Sequence, residues 1–349
     1  MNALRSTWLR VALVAFGAAA VAALLWWHGP AWGAVGTAFT AVAWEWVAAA
    51  VGLNLLSVLV RALAWRTVIG QAMAEPHPRF PLVFSAFSVG LFANAVLPGR
   101  IGELARVAVL TRKLPARPGT WPTLLGTVFA HRVFDLVAAM ALITFVVLTA
   151  HIPDWAVTSL IGVVIAGVAL FSFAVLSARH HRVSDLGGLT AVRRLVRLGR
   201  HGLGVMRRPW AAVLACALQL LGWTCQLFAV WTAMRAFGIH EALPAAGLVL
   251  VLMNVATIFP LWPGNVGLVQ AAVSLPLWRY YGVAKGTGVA FGFGLQAIEA
   301  SVGVGVGLIF LAREGLSFAM LRVMPDATQA DVPDAAVAEA GGKSARVPG

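Results

Sequence analysis

Apolar runs long enough to cross a lipid bilayer constrain this chain more than any other feature. Val11–Trp27, Phe39–Trp65, Thr123–Ala150, Trp155–Leu176, Trp210–Ala233 and Gly288–Leu311 carry few charges. About 20 mostly apolar residues suffice to span the hydrocarbon core as a helix. Of the 349 residues, 60% are hydrophobic and 11% charged, against roughly 25% charged in a soluble domain. A soluble fold is excluded. The fold class is an all-α integral membrane protein, because a helix satisfies its own backbone groups where no water can.

Two stretches interrupt this pattern. The first is Asn94-Ala-Val-Leu-Pro98-Gly99-Arg100-Ile-Gly102-Glu103-Leu-Ala-Arg106; the second, weaker copy is Pro263-Gly264-Asn265-Val-Gly267-Leu-Val-Gln270. Helix breakers and polar groups at membrane depth are costly unless buried in protein or lining a cavity. A pair of broken helices in corresponding halves of a chain is a pointer to a transporter. Pro98, Gly99, Gly102, Pro263, Gly264 and Gly267 are expected to shape the breaks and let helices approach closely.

Charge placement sets the topology. The net charge is +13, and basic clusters in a membrane protein mark the cytoplasmic side and contact with anionic lipid rather than nucleic acid. Arg61 and Arg66 place the end of the second span inside, and Arg79 precedes Phe80–Leu97 on that side. Arg106, Arg112, Lys113 and Arg117 follow the Pro98-Gly99 break and belong inside as well, so this segment reads as a re-entrant hairpin, 80–112, opening to the cytoplasm. By the same bookkeeping 243–280 is a hairpin opening outward. The expected architecture is six full spans plus two hairpins in an inverted repeat, with both termini cytoplasmic; periodicity alone also permits eight conventional spans.

The expected organisation is a first membrane half (1–178), a basic cytoplasmic loop (179–208), a second half (209–315) and a tail (316–349), disordered from about 324. The loop holds Arg193, Arg194, Arg197 and Arg200 among aliphatic residues, as in a helix lying on the membrane surface. The basic start and first apolar run also fit a signal peptide, with Ala31-Trp32-Gly33 as a cleavage site; the length of the run favours an uncleaved helix. Residues 28–37 carry no Lys or Arg and are expected to face away from the cytoplasm, with Glu45 at the outer interface.

These motifs resemble the membrane region of bacterial lysylphosphatidylglycerol synthases and the flippase-like multi-span proteins built on it. The matching pieces are Asn94 to Arg106, Arg132-x-x-Asp135, and Pro260 to Gln270 followed by Tyr281-Gly282-Val283, over roughly residues 10–315. The resemblance implies movement of a lipid or lipid-linked substrate between leaflets of the bacterial inner membrane. It also implies association with enzymes of lipid or hopanoid biosynthesis. Two positions depart from the family pattern: Gln270, and His131 before Arg132, both stand where Glu is usual. No cytoplasmic segment is large enough for an aminoacyl-transferase domain, so the lysyl-transfer activity is not carried over.

The candidate substrate-binding residues are Asn94, Arg100, Glu103, Arg106, Arg132, Asp135, Gln270 and Glu299. Arg groups can hold a lipid phosphate by forked hydrogen bonds, and Glu103 can pair with one of them. Arg132 and Asp135, at i,i+3, share a helix face, as do Gln296 and Glu299. No nucleophile–base pair, nucleotide loop or metal set is visible, so no catalytic residue and no cofactor are expected. Cys216 and Cys225 lie on one segment and cannot reach disulfide geometry.

Overall fold

The computed structural model describes residues 32–73, 75–97, 101–115, 120–179, 209–258 and 265–313. Among these, every regular element is helical. In chain order they are α1 (Trp32–Thr40), α2 (Trp44–Ala72), α3 (Phe80–Val96), α4 (Gly102–Lys113), α5 (Thr120–Thr149), α6 (Asp154–Arg179), α7 (Pro209–Ala236), α8 (Leu243–Ile258), α9 (Leu268–Tyr281) and α10 (Lys285–Ala300). A π-helical turn, Ser301–Val306, then leads into α11 (Gly307–Arg313).

Among the described residues, five helices are long and apolar enough to cross a membrane: Trp44–Ala72, Thr120–Thr149, Asp154–Ser172, Pro209–Ala236 and Lys285–Arg313. They coincide with five of the six expected spans. The sixth, Val11–Trp27, lies outside the described residues, as do 180–208 of the basic loop and the tail from 314. Ahead of the second span, the residues from Trp32 form a short helix, α1. The second span begins at Trp44 rather than Phe39. The helix breaks between Thr40 and Trp44, where the Ala43 N–H donates 3.0 Å to the carbonyl of Ala236 instead of to its own ladder.

The helices around the two breaks are shorter. At 1.5 Å per residue, α3 (17 residues) and α4 (12 residues) reach about 25 and 18 Å. Likewise α8 (16 residues) and α9 (14 residues) reach about 24 and 21 Å. None covers a hydrocarbon core of about 30 Å unaided.

The chain divides into two compact units whose boundaries fall inside helices, after Ser57, Asp135, Phe171, Gln219 and Ser301. Within the described residues, one unit comprises 32–57, 136–171 and 220–301, and the other 58–135, 172–179, 209–219 and 302–313. In the first unit α9 lies close against α10. A Cβ on Gly288 or Gly292 would stand 3.2 Å from the Ser274 Cβ or 3.1 Å from the Gln270 Cα. Phe237 packs edge-on against Phe39 and Phe291, inside a core that includes Met234, Leu250 and Leu295. In contrast α6 leaves Trp155, Ile161, Val163, Ile165, Val168 and Leu170 exposed, the surface of a helix that faces lipid.

In the second unit α3 and α4 form an antiparallel hairpin, with Gly90 of α3 against Gly102 and Arg106 of α4. Helix α3 is buried almost all round, from Val83 to Ala93, which marks a helix enclosed by others. Helix α11 closes one side of it: Phe310 meets Phe84 edge-on at 5.3 Å, and Gly307 sits over Ser88 and Phe92. The Trp65 indole donates 3.1 Å to the Thr127 hydroxyl and so ties α2 to α5.

Candidate functional site

The charged residues of the first break converge in the second unit. Pro98, Gly99 and Arg100 lie outside the described residues, so the site is described from Asn94 and from Gly102 onward. Asn94, in the last turn of α3, accepts the Gly102 N–H at 2.8 Å. Ile101, at the N-cap of α4, has no side chain able to do this. The break is thus stitched by a side chain from the preceding helix, which satisfies one of the orphan donors that every helix start carries. Asn94→Ala is expected to lower stability by about 1 kcal/mol, the worth of a helix cap, measurable in a denaturant titration in detergent micelles. An unchanged midpoint would mean that the cap contributes nothing.

Glu103, in the first turn of α4, bridges two guanidinium groups. One carboxylate oxygen meets Nη2 of Arg106 and the other meets Nη2 of Arg132 from α5. Arg132 also donates through Nη1 to Asp135 Oδ2 at 2.9 Å, which realises the i,i+3 pair expected from the sequence. Asp135 is held further by Gln219, whose amide donates to Oδ1, and His131 Nδ1 lies 3.9 Å from Oδ2. His131 Nε2 stands 3.2 Å from the Arg61 carbonyl. A carbonyl only accepts, so Nε2 carries the proton.

Burial differs sharply within the group. Arg106 is only 4% exposed, whereas Arg132 is 52% exposed and the Glu103 side chain 25%. Buried guanidinium is costly, and here aromatic faces offset part of the cost. The Arg106 guanidinium lies 4.7 Å from the Trp65 ring centre and 5.5 Å from that of Phe87, within the range of cation–π attraction. These groups line a cavity of about 40 Å³, bounded by Arg61, Gly90, Asn94, Glu103, Arg106 and Arg132 among others. At roughly 10–15 Å³ per water centre, that is room for about three waters.

The other unit holds the second break; Pro263 and Gly264, within 259–264, lie outside the described residues. Here amides take the place of charges. Asn265 donates 2.8 Å to the Ala256 carbonyl at the end of α8. Its φ of 45° is a left-handed conformation that Asn adopts more readily than most residues. Gln270 accepts the Gly267 N–H at 2.6 Å and donates to Gln296 at 2.7 Å. Gln226 donates 3.4 Å to Glu299.

Six candidate residues are therefore gathered around one cavity: Asn94, Gly102, Glu103, Arg106, Arg132 and Asp135. Gln270 and Glu299 belong to a separate polar group. Arg61, Trp65, Phe87, His131 and Gln219 were not singled out as site residues. Gln219 carried a signal, as an amide within an apolar run, and His131 another, four residues before Asp135. Trp65 and Phe87 are indistinguishable in sequence from ordinary core aromatics.

The model of the lysylphosphatidylglycerol synthase transmembrane region matches residues 8–307. A UPF0104 membrane protein of Methanothermobacter thermautotrophicus is 27% identical over 150 residues, which is 41% of this chain and 41% of that protein. The match thus covers about two fifths of the relative's length. No solved structure matches the chain.

Proposed function

Because this chain belongs to the lysylphosphatidylglycerol synthase transmembrane-region family, we propose that it moves an anionic lipid, or a lipid-linked substrate, between membrane leaflets. The observation that carries this reading is the charged cavity: three Arg and two carboxylates drawn together by an otherwise apolar chain. Ionisable groups inside a membrane are expensive, and default to function. Arg132, half exposed at its edge, is the group best placed to meet a headgroup phosphate, with Arg106 behind it. The protein acts as a carrier rather than an enzyme, in the bacterial inner membrane with both termini cytoplasmic. The two short-helix pairs are re-entrant hairpins of an inverted repeat; their lengths and their flanking charges support this. Gln270 of the second hairpin, paired with Gln296 of α10, and the Gln226–Glu299 pair between α7 and α10 shape the path rather than hold the headgroup.

Reconstitution tests the proposal. Fluorescent anionic phospholipid should exchange between leaflets of liposomes containing the protein. Arg132→Ala should insert normally and slow exchange about 10- to 100-fold, the worth of a charge-assisted hydrogen bond. Unaltered exchange in Arg132→Ala would sink the assignment. Absence of exchange by the pure protein, with stable co-purification of a lipid-synthesising enzyme, would favour a non-transporting partner role instead.

A further inference from the structure

We infer that Glu103 is an internal counter-anion that occupies the place of the ligand's phosphate and is displaced when that phosphate binds. The inference rests on the reading of this cavity as an anion site and deepens it. Five charged groups line the cavity: Arg61, Arg106 and Arg132 against Glu103 and Asp135. With His131 neutral, three positive charges against two negative leave a balance of +1.

The two carboxylates are held very differently. Asp135 is fixed at both oxygens, by Gln219 on one and by Arg132 on the other. Its Gln219 partner is fully buried. Among the described residues, Glu103 is attached through its two oxygens to the two guanidinium groups, and its side chain is partly exposed. It stands at the start of α4, where Asn94 accepts the Gly102 N–H across the break.

The geometry of the Glu103 bridge is that of a phosphate clamp. A carboxylate and a phosphodiester each present two oxygens to two guanidinium forks. Arg106 is locked between Trp65 and Phe87 and cannot follow Glu103 away. Its buried Nε donates to no acceptor among the described residues, so an incoming oxyanion finds a donor that Glu103 does not use. The present cavity of about 40 Å³ holds waters but not a phosphodiester, and the carboxylate of Glu103 fills the remaining space between the guanidinium groups. Ligand entry and Glu103 departure are one event. The competition also keeps the clamp from holding its ligand permanently, because Glu103 returns as the phosphate leaves.

The shared chemistry is a phosphate oxyanion, from a lipid headgroup or free in solution. Binding should be measured on the full chain in phosphatidylcholine nanodiscs, with phosphatidylglycerol doped into the disc in one arm and inorganic phosphate added in the other. Glu103→Gln keeps the side-chain shape and removes the competing charge, so it should tighten binding of the preferred probe about tenfold or more. Adding Arg132→Ala should abolish that gain. Tightening with phosphatidylglycerol alone identifies a lipid headgroup; tightening with inorganic phosphate as well identifies the bare oxyanion. Equal or weaker binding of both probes by folded Glu103→Gln overturns the inference.

A second arm uses the unmutated protein, so that a folding defect of the variant decides nothing. Displacement breaks both ion pairs of Glu103, and its labelling by a membrane-permeant carbodiimide should rise on addition of the probe; protection would overturn the inference. Tighter binding without leaflet exchange leaves the inference standing and removes the transport reading. Exchange by the wild type without tighter binding in Glu103→Gln does the reverse.

Discussion

Gly102→Ala should cost about 3 kcal/mol, the upper range for overpacking a close contact, and sharply reduce the yield of monodisperse protein. A Cβ at Gly102 would run into the carbonyl oxygen of Gly90 and stand 2.6 Å from Cγ and Oδ1 of Asn94. Neither neighbour can yield cheaply. The Gly90 carbonyl is backbone of a helix buried nearly all round, and Asn94 is occupied with the Gly102 N–H. The methyl must therefore push α4 off α3, and with it Glu103 and Arg106 off Arg132. Gly70→Ala is the matched control: it lies in α2, where a Cβ meets nothing within 4 Å. Removing a helix-interior glycine there should be neutral or stabilise by about 0.5–1 kcal/mol. Thermal midpoints of the two purified variants would separate them; equal midpoints would contradict the close α3–α4 contact.

Asp135→Ala should be comparably damaging, by about 1–3 kcal/mol, the cost of leaving a buried polar partner unpaired. The loss is threefold. Gln219, fully buried, keeps its amide without the acceptor on α5. Arg132 loses the bond that aims its other nitrogen at Glu103. The positive cluster of Arg61, Arg106 and Arg132 retains only Glu103 as counter-charge. Asp135→Asn keeps an acceptor for either Gln219 or Arg132 but not for both, and should fall between wild type and Asp135→Ala. A stability titration of the three proteins in one detergent checks that order, and wild-type stability in Asp135→Ala would show that the network is not structural.

The two variants divide the roles within the cluster. Asp135 and Gly102 hold the frame, so their loss should appear as instability before any effect on exchange is measurable. Arg132 and Glu103 are the accessible members, and their variants should retain the fold and alter binding or exchange. Assays that report only activity would merge these classes.

Much of this site was local information. Arg132 and Asp135 could be paired on paper because three residues on a helix bring side chains to one face. The same holds for Glu103 and Arg106. The helix pairs around the breaks followed from Pro, Gly and charge appearing where an uninterrupted apolar run would otherwise continue. The apolar runs themselves marked the five long helices, because each bilayer crossing imposes its own length and composition. The short α1 helix was not legible in the sequence, because its small, uncharged residues carry no strong signal; its neighbours in the fold include α10, where Gly286 meets Ala34.

By itself the sequence determined a helical membrane protein of this family, with two interruptions and a charged first break. Only the tertiary structure decided which charge meets which. Glu103 reaches Arg132 across 29 residues, and Gln219 reaches Asp135 across 84; no periodicity connects such positions. It also decided that Arg106 is buried under Trp65 and Phe87 while Arg132 stays accessible. Hydropathy is a property of segments and can be read along the chain. Partner choice among buried charges depends on which helix faces meet, and that is settled only when the helices pack.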